Sequence, residues 1–241
     1  LIEGEALGTI YSYPFAGLDH ETGLPVFYDK KGNTSATWLS KTYKNYTLYE
    51  DEIELVKSGV VSPPHTGGIN LEYRWKEWIL RGSFTYSLGA VNRLPFIYGD
   101  YDSVFDPEKN VTREILNRWR EPGDELHTNI PALYDDNTYT NLGIRPMRAN
   151  VDHIYGTSMY DYSTARVCST NNLRLRSLSL SYIFNKKVLK KMHLSNFQIS
   201  AQANNLFIIA DKRWHGFDPE QGSSANSSIP RTYSLSVTIG F

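Results

Sequence analysis

The 241-residue sequence contains a single cysteine, Cys168, so no disulfide can form within it. It contains no run of about 18 apolar residues, the length that a membrane-crossing helix needs. It has no excess of one charge, since 25 lysines and arginines stand against 26 aspartates and glutamates. That balance gives no reason to expect nucleic acid as a partner.

The titratable residues form no recognisable catalytic pattern. The six histidines are scattered without metal-ligand spacing, and no serine lies in a nucleophile elbow. Residues 135–141 carry alternating oxygen ligands but lack the glycine and distal glutamate of a calcium loop. We therefore predict no catalytic residues, no metal site, no cofactor and no enzymatic activity. Carboxylates are plentiful, however, and nothing selects or excludes a glycosidase pair among them.

The strongest pattern is a strict alternation at the C-terminus. In residues 232–241 every odd position is apolar or aromatic and every even position is small or polar. Such a period of two predicts a β-strand with one apolar face. The apolar positions are Tyr233, Leu235, Val237, Ile239 and Phe241.

The same alternation recurs upstream and predicts about six strands in all. The further segments are residues 7–15, 69–75, 78–90, 173–184 and 197–209. Several exceed the roughly 5–6 residues of a typical globular strand and approach the roughly 9–11 that cross a bilayer. Within 173–184 the phase shifts near Ser177, which predicts a β-bulge.

The links between these strands alternate in length. The links at 76–77 and 185–196 are short, whereas 16–68, 91–171 and 210–231 are long. Outer-membrane barrels have short periplasmic turns and long extracellular loops, so the alternation favours a barrel and places Phe241 at the periplasmic end. Helical spacing predicts short helices at 111–120, with Val111, Ile115, Leu116 and Trp119 on one side, and at 186–192.

Several motifs resemble one known family. They are AGLDHETG at 16–23, NRW at 117–119, NIP at 129–131, NLRLRSLSLSY at 172–182, KKVLKKMHLSNF at 186–197, NNLF at 204–207, GFDPE at 216–220 and PRT at 230–232. Together they resemble the SusC/RagA group of TonB-dependent outer-membrane transporters. His20 departs from the proline usual at its position.

The resemblance implies a fold, a function and partners. The fold would be an all-β, antiparallel transmembrane barrel of about 22 strands closed by a plug, with residues 1–241 as its C-terminal part. The function would be TonB-dependent import of a glycan or peptide with a SusD-like lipoprotein, in contact with outer-membrane lipid. By the resemblance, the plug and the TonB-contacting segment are absent from this chain. Because about six strands cannot close a barrel, we expect the natural polypeptide to extend well before Leu1. We expect the isolated chain to aggregate in water.

The alternation also predicts where side chains point. Six polar residues are expected to face the barrel lumen, where they would line a substrate path or only contact solvent and plug. They are Glu72, Arg74, Arg81, Gln198, Gln202 and Asn204. Four aromatic residues at the short-link ends are candidates for a membrane-interface girdle, with cross-strand packing as the alternative. They are Trp75, Trp78, Tyr182 and Phe184.

Three tryptophans in long loops, Trp38, Trp119 and Trp214, are candidates for ligand or partner contacts, with packing inside the loops as the alternative. By the family resemblance, Phe241 would carry the C-terminal signal for barrel assembly; otherwise it only faces lipid.

Two other functions remain open. One is a soluble carbohydrate-binding β-sandwich or glycosidase domain, and the other is a passive porin. A sandwich buries its apolar face against a second sheet and has short strands, whereas a membrane barrel keeps long strands with an uncovered apolar face.

Overall fold

The computed structural model describes residues 3–34, 53–98, 108, 111–135, 138, 156–221 and 229–241. The chain forms two compact units. The first contains the described parts of Leu1–Val61 and Asn92–Cys168, and the second those of Ser62–Val91, Ser169–Gln221 and Ala225–Phe241. In the described part of the chain, no helix is long and apolar enough to span a membrane.

The described elements are mostly strands. They are β1 (Thr9–Ser12), β2 (Phe15–Leu18), β3 (Pro25–Phe27), β4 (Val56–Val60), β5 (His65–Trp75), β6 (Trp78–Leu88), β7 (Val91–Arg93), β8 (Val167–Ser169), β9 (Asn172–Ile183), β10 (Asn196–Ala210) and β11 (Thr232–Gly240). Two α-helices, α1 (Gly156–Asp161) and α2 (Lys186–Met192), and four short 3-10 helices complete the described set, and α2 has the predicted bounds.

The second unit is built on one five-stranded antiparallel sheet in the order β11-β10-β9-β6-β5. Its strands contain 9, 15, 12, 11 and 11 residues, so the predicted long strands are confirmed. The short links β5–β6 and β9–β10 meet at one end of the sheet, which we call the short-link end. Gly240 pairs with Asn196, so β11 also finishes there.

The predicted bulge in β9 is confirmed. Ser177 pairs with Ser83 and Leu175 pairs with Phe84, which leaves Arg176 as the extra residue. An extra residue on one strand reverses the phase of everything before it, and this explains the opposite alternation around Arg174.

The two faces of the sheet differ in chemistry. Cross-strand partners share a face, so the register separates an apolar face from a polar face. The apolar face is open: on β11, the exposed fractions of Tyr233, Leu235, Val237 and Ile239 are 71%, 73%, 53% and 49%. A β-sandwich would bury these side chains against a second sheet, so their exposure argues against the soluble sandwich alternative.

The first unit has small sheets and its own core. Strands β1 and β4 pair, as do β2 and β3, and apolar clusters form around Phe27 and Tyr98. The prediction of one strand over 7–15 was wrong, because β1 ends at Ser12, β2 starts at Phe15, and neither joins the five-stranded sheet. Pro14 lies between them and has no N–H for a ladder.

The helix predicted over 111–120 is only a 3-10 helix at Arg113–Asn117, capped by Thr112. Ile115 and Trp119 are buried as expected, but Val111 and Leu116 are exposed, so that part of the prediction was wrong. A single 3-10 turn has three residues per turn and does not maintain the 3.6-residue face that the prediction assumed.

Candidate functional site on the polar face of the sheet

The six predicted lumen residues lie on one face, the polar face. Glu72 pairs with Arg81, and Arg81 pairs with Ser179 of the next strand. Ser179 in turn pairs with Gln202, so one row crosses four strands. Residues two apart on a strand point to the same side, which adds Arg74, Gln198 and Asn204 to this face.

Glu72 is the charged centre of this face. One carboxylate oxygen accepts a hydrogen bond from Arg74 Nε at 2.6 Å and the other from Arg81 Nε at 2.6 Å. All three side chains are well exposed, so the pairs contribute little to stability. Their effect is to hold two guanidinium groups in place, with further N–H donors directed away from Glu72.

Amides and hydroxyls make further hydrogen bonds on the same face. Gln202 Nε2 donates to Asn204 Oδ1 at 2.8 Å, and Asn204 Nδ2 donates to Thr232 Oγ1 at 3.1 Å. Near the short-link end, Gln198 Nε2 donates to Ser200 Oγ at 2.9 Å. These hydrogen bonds form separate groups, which together give the polar face both donors and acceptors.

A shallow hollow of about 500 Å³ lies over this row. Its polar lining residues are Asn70, Glu72, Arg81, Ser83, Ser177, Ser179 and Gln202. The lining offers both charges and both hydrogen-bonding roles, which suits a hydroxyl-rich or amide-rich surface better than an apolar one. No group of three or more metal-binding side chains occurs among the described residues.

A buried ion pair at the other end of the sheet was not predicted. Arg174 Nη2 donates to Asp218 Oδ1 at 2.6 Å and Oδ2 at 2.5 Å. The two side chains are only 3% and 2% exposed. Asp218 belongs to the GFDPE motif, so the pair attaches the segment after β10 to the start of β9.

Glu220 extends this cluster to the polar face. Its carboxylate oxygens both accept from Arg176 Nη2 at 2.9 Å, and one lies 3.3 Å from Arg174 Nε. Arg176 Nε also donates to Thr85 Oγ1 at 2.9 Å. The bulge that isolates Arg176 from the ladder thus directs it to Glu220. The sequence feature that could have indicated this cluster is the presence of two arginines within an otherwise apolar strand pattern.

The loop tryptophans that the structure describes are interior. Trp214 is 2% exposed and donates from Nε1 to the carbonyl of Ser169 at 2.8 Å. Trp119 is 4% exposed and donates from Nε1 to Glu125 Oε2 at 3.2 Å. In this conformation neither ring offers a face to a ligand, which favours the packing alternative. Trp38 lies outside the described residues.

Glu125 joins the AGLDHETG turn to the segment that follows the NRW motif. Besides the Trp119 indole, it accepts a hydrogen bond from His20 Nδ1 at 2.6 Å and from Gly123 N at 2.8 Å. The His20 contact is the main reason that the pKa of Glu125 falls to about 2, and the same hydrogen bond raises the pKa of His20. His20 therefore forms an ion pair with Glu125 when the imidazole is protonated.

Gly23 is required for the same packing. It has φ +62°, and a Cβ added there would lie 2.2 Å from the Trp119 ring. We expect Gly23→Ala to destabilise the first unit by about 1–3 kcal/mol through overpacking and backbone strain. Amide hydrogen exchange of residues 117–134 would measure this. Gly32→Ala is the matched control, because Gly32 has φ +79° but no neighbour within 4 Å. Equal effects of the two substitutions would contradict the packing argument.

Three of the four predicted girdle residues, Trp78, Tyr182 and Phe184, form a chain of touching rings at the short-link end. The ring centroids of Trp78 and Tyr182, and those of Tyr182 and Phe184, are 4.8 Å apart. Phe184 stacks on Phe197 at 4.4 Å. The ring of Phe241 is exposed, and its carbonyl accepts a hydrogen bond from Ser195 Oγ at 3.2 Å. The girdle and assembly-signal roles stay predictions.

Comparisons with known proteins agree with this fold. No family model matches the chain. It is 25% identical to TonB-dependent receptor P39 of Formosa agariphila over 97% of its length and 24% of that protein. The RagAB peptide importer in the open-open state matches with a TM-score of 0.65 and 20% identity, over 100% of this chain and 24% of that chain. A RagAB peptide transporter structure matches with a TM-score of 0.63 and 23% identity, over 97% of this chain and 23% of that chain.

The chain spans about a quarter of the length of these relatives. Their names describe a receptor, an importer and a transporter, and none describes an enzyme. The open five-stranded sheet is what part of a barrel would show. Similarity in sequence to a TonB-dependent receptor and a fold shared with part of RagAB therefore support the resemblance to the SusC/RagA group.

Proposed function

We propose that the protein containing this chain imports a nutrient glycan or peptide across the outer membrane, energised through TonB. The supporting observation is the sheet itself. Its strands are long enough for a bilayer, its apolar face is open, and its opposite face carries a hydrogen-bonding network. In this proposal the apolar face contacts lipid, the polar face lines the lumen, and the short-link end with Phe241 is periplasmic.

The proposal includes the lumen roles of Glu72, Arg81 and Gln202. Their row offers paired charges and amide groups, which can hydrogen-bond equally well to a sugar chain or a peptide backbone. A SusD-like lipoprotein is the proposed partner on the long-link side, and Trp38 remains a candidate contact there.

Uptake by cells tests the transport function. Labelled oligopeptides and oligosaccharides are supplied to cells with the intact gene, without it, and without TonB. We expect uptake of one class to require both the gene and TonB. Uptake that needs the gene but not TonB would support the porin alternative, and release of reducing sugar by the purified protein would support the glycosidase alternative.

Co-purification tests the partner. In mild detergent, a tagged form of the natural polypeptide is expected to retain a SusD-like lipoprotein at a ratio near one to one. If the protein carries out TonB-dependent uptake but is isolated without such a lipoprotein, the partner assignment is wrong and the transport function stands.

A further inference from the structure

An apolar groove lies on the apolar face next to the short-link end. Its volume is about 280 Å³, and it is lined by Trp78, Leu180, Tyr182, Ile199 and Ala201. Ala201 forms the floor, because its cross-strand partners are the larger Leu180 and Leu235. Trp78 is the first residue of β6 and Tyr182 is one residue from the end of β9, whereas Ile199 is three residues into β10. The groove therefore runs from the strand ends to about 10 Å along the strands.

The links at these strand ends are strongly basic. Residues 76–77 and 185–196 contain five lysines and one acidic residue, Glu77. Four of the lysines, at 186, 187, 190 and 191, lie on the seven-residue helix α2. Their spacing places them within about 140° of the helix circumference, while Leu189 on the other side is buried.

In the described part of the chain, no carboxylate pairs with any of the four α2 lysines. The pairs 186/190 and 187/191 are like charges at the i,i+4 spacing, which destabilises an isolated helix. An anion bound at this face would remove that repulsion.

We propose that this end of the sheet binds an anionic glycerophospholipid, with one acyl chain in the groove over Ala201 and the headgroup phosphate on the α2 lysines. The proposal rests on the membrane insertion of the sheet under the proposed function. Trp78 and Tyr182 line the groove, and such rings favour the level of the lipid headgroups. An anionic lipid matches both features, because its acyl chain fits the apolar groove and its negative headgroup fits the basic cluster. A zwitterionic lipid has no net charge and would be attracted less strongly by the lysines.

Native mass spectrometry of the natural polypeptide in mild detergent tests this, with added phosphatidylglycerol and phosphatidylethanolamine as probes. We expect retention of phosphatidylglycerol to exceed that of phosphatidylethanolamine. The combined variant Lys186→Gln, Lys187→Gln, Lys190→Gln and Lys191→Gln should lower phosphatidylglycerol retention by about a hundredfold or more, because each lysine lost removes roughly a factor of five. Ala201→Leu fills the groove and should lower retention of both lipids.

Matched controls are Lys30→Gln with Lys31→Gln, in an exposed turn of the first unit, and Val237→Leu, on the same face outside the groove lining. Neither should change lipid retention. Equal retention of the two lipids, unchanged retention in the lysine variant, or retention of lipopolysaccharide instead would overturn the lipid assignment. If TonB-dependent uptake is intact in that case, the proposed function stands and only this inference fails. A protein absent from the membrane fraction would overturn both.

Discussion

Asp218→Asn is expected to destabilise the packing of residues 211–221 by about 3–5 kcal/mol, the usual cost of removing one partner from a buried ion pair. The substitution leaves Arg174 charged and only 3% exposed, with a neutral amide as its main partner. Glu220 compensates only in part: one of its oxygens lies 3.3 Å from Arg174 Nε, but both are already bound by Arg176.

Amide hydrogen exchange in residues 211–221 is the direct measurement, because the effect is local to the segment that Asp218 holds. Exchange should accelerate about a hundredfold to a few thousandfold there, which corresponds to about 3–5 kcal/mol at roughly 1.4 kcal/mol per tenfold change. The pairing of β5 with β6 is remote from the ion pair and should keep its protection.

Two variants separate the buried charge from simple loss of a contact. Glu220→Gln should cost much less, since Glu220 is partly exposed and solvent can hydrate Arg176. Arg174→Met together with Asp218→Asn should be more stable than Asp218→Asn alone, because the unpaired buried charge is gone. If the double variant is as unstable as the two single changes added together, the buried-charge explanation is wrong.

The sequence predicted the sheet well because the relevant signal is local. In β11, alternation alone assigns every side chain to a face, and the register confirms it from Thr232 to Gly240. The slip near Ser177 predicted the bulge for the same reason: a change of phase is visible within one strand. Which face meets lipid is not a local property, and that assignment still rests on the proposed function.

The interactions that the sequence did not reveal are distant in the chain. Arg174 and Asp218 are 44 positions apart, and no local pattern connects them. The strand predicted over 7–15 failed for a related reason, because alternation does not report pairing partners and the effect of Pro14 was missed. Trp119 and Trp214 were placed in loops correctly, but burial inside a loop depends on partners such as Glu125 that periodicity cannot indicate.

Leu235→Arg is expected to lower the free energy of unfolding from a bilayer by about 2–4 kcal/mol, that is, to destabilise the inserted protein. Leu235 lies near the middle of β11 and is 73% exposed on the apolar face. A charge near the bilayer centre is costly because lipid tails cannot solvate it. In water the same substitution would change the stability by only about 0.5 kcal/mol or less, as for most exposed positions.

The neighbouring Ser234 provides a matched control, because it is exposed on the polar face opposite Gln202. Ser234→Arg adds the same charge to the same strand one residue away, and a water-filled lumen would hydrate it. Denaturant titration of the natural polypeptide in lipid vesicles would compare the two. A large loss of stability from Leu235→Arg with a small loss from Ser234→Arg would mean that lipid covers the apolar face and water covers the polar face. Equal small costs would mean that water covers the apolar face, and neither a transporter nor a porin could then be built from this sheet.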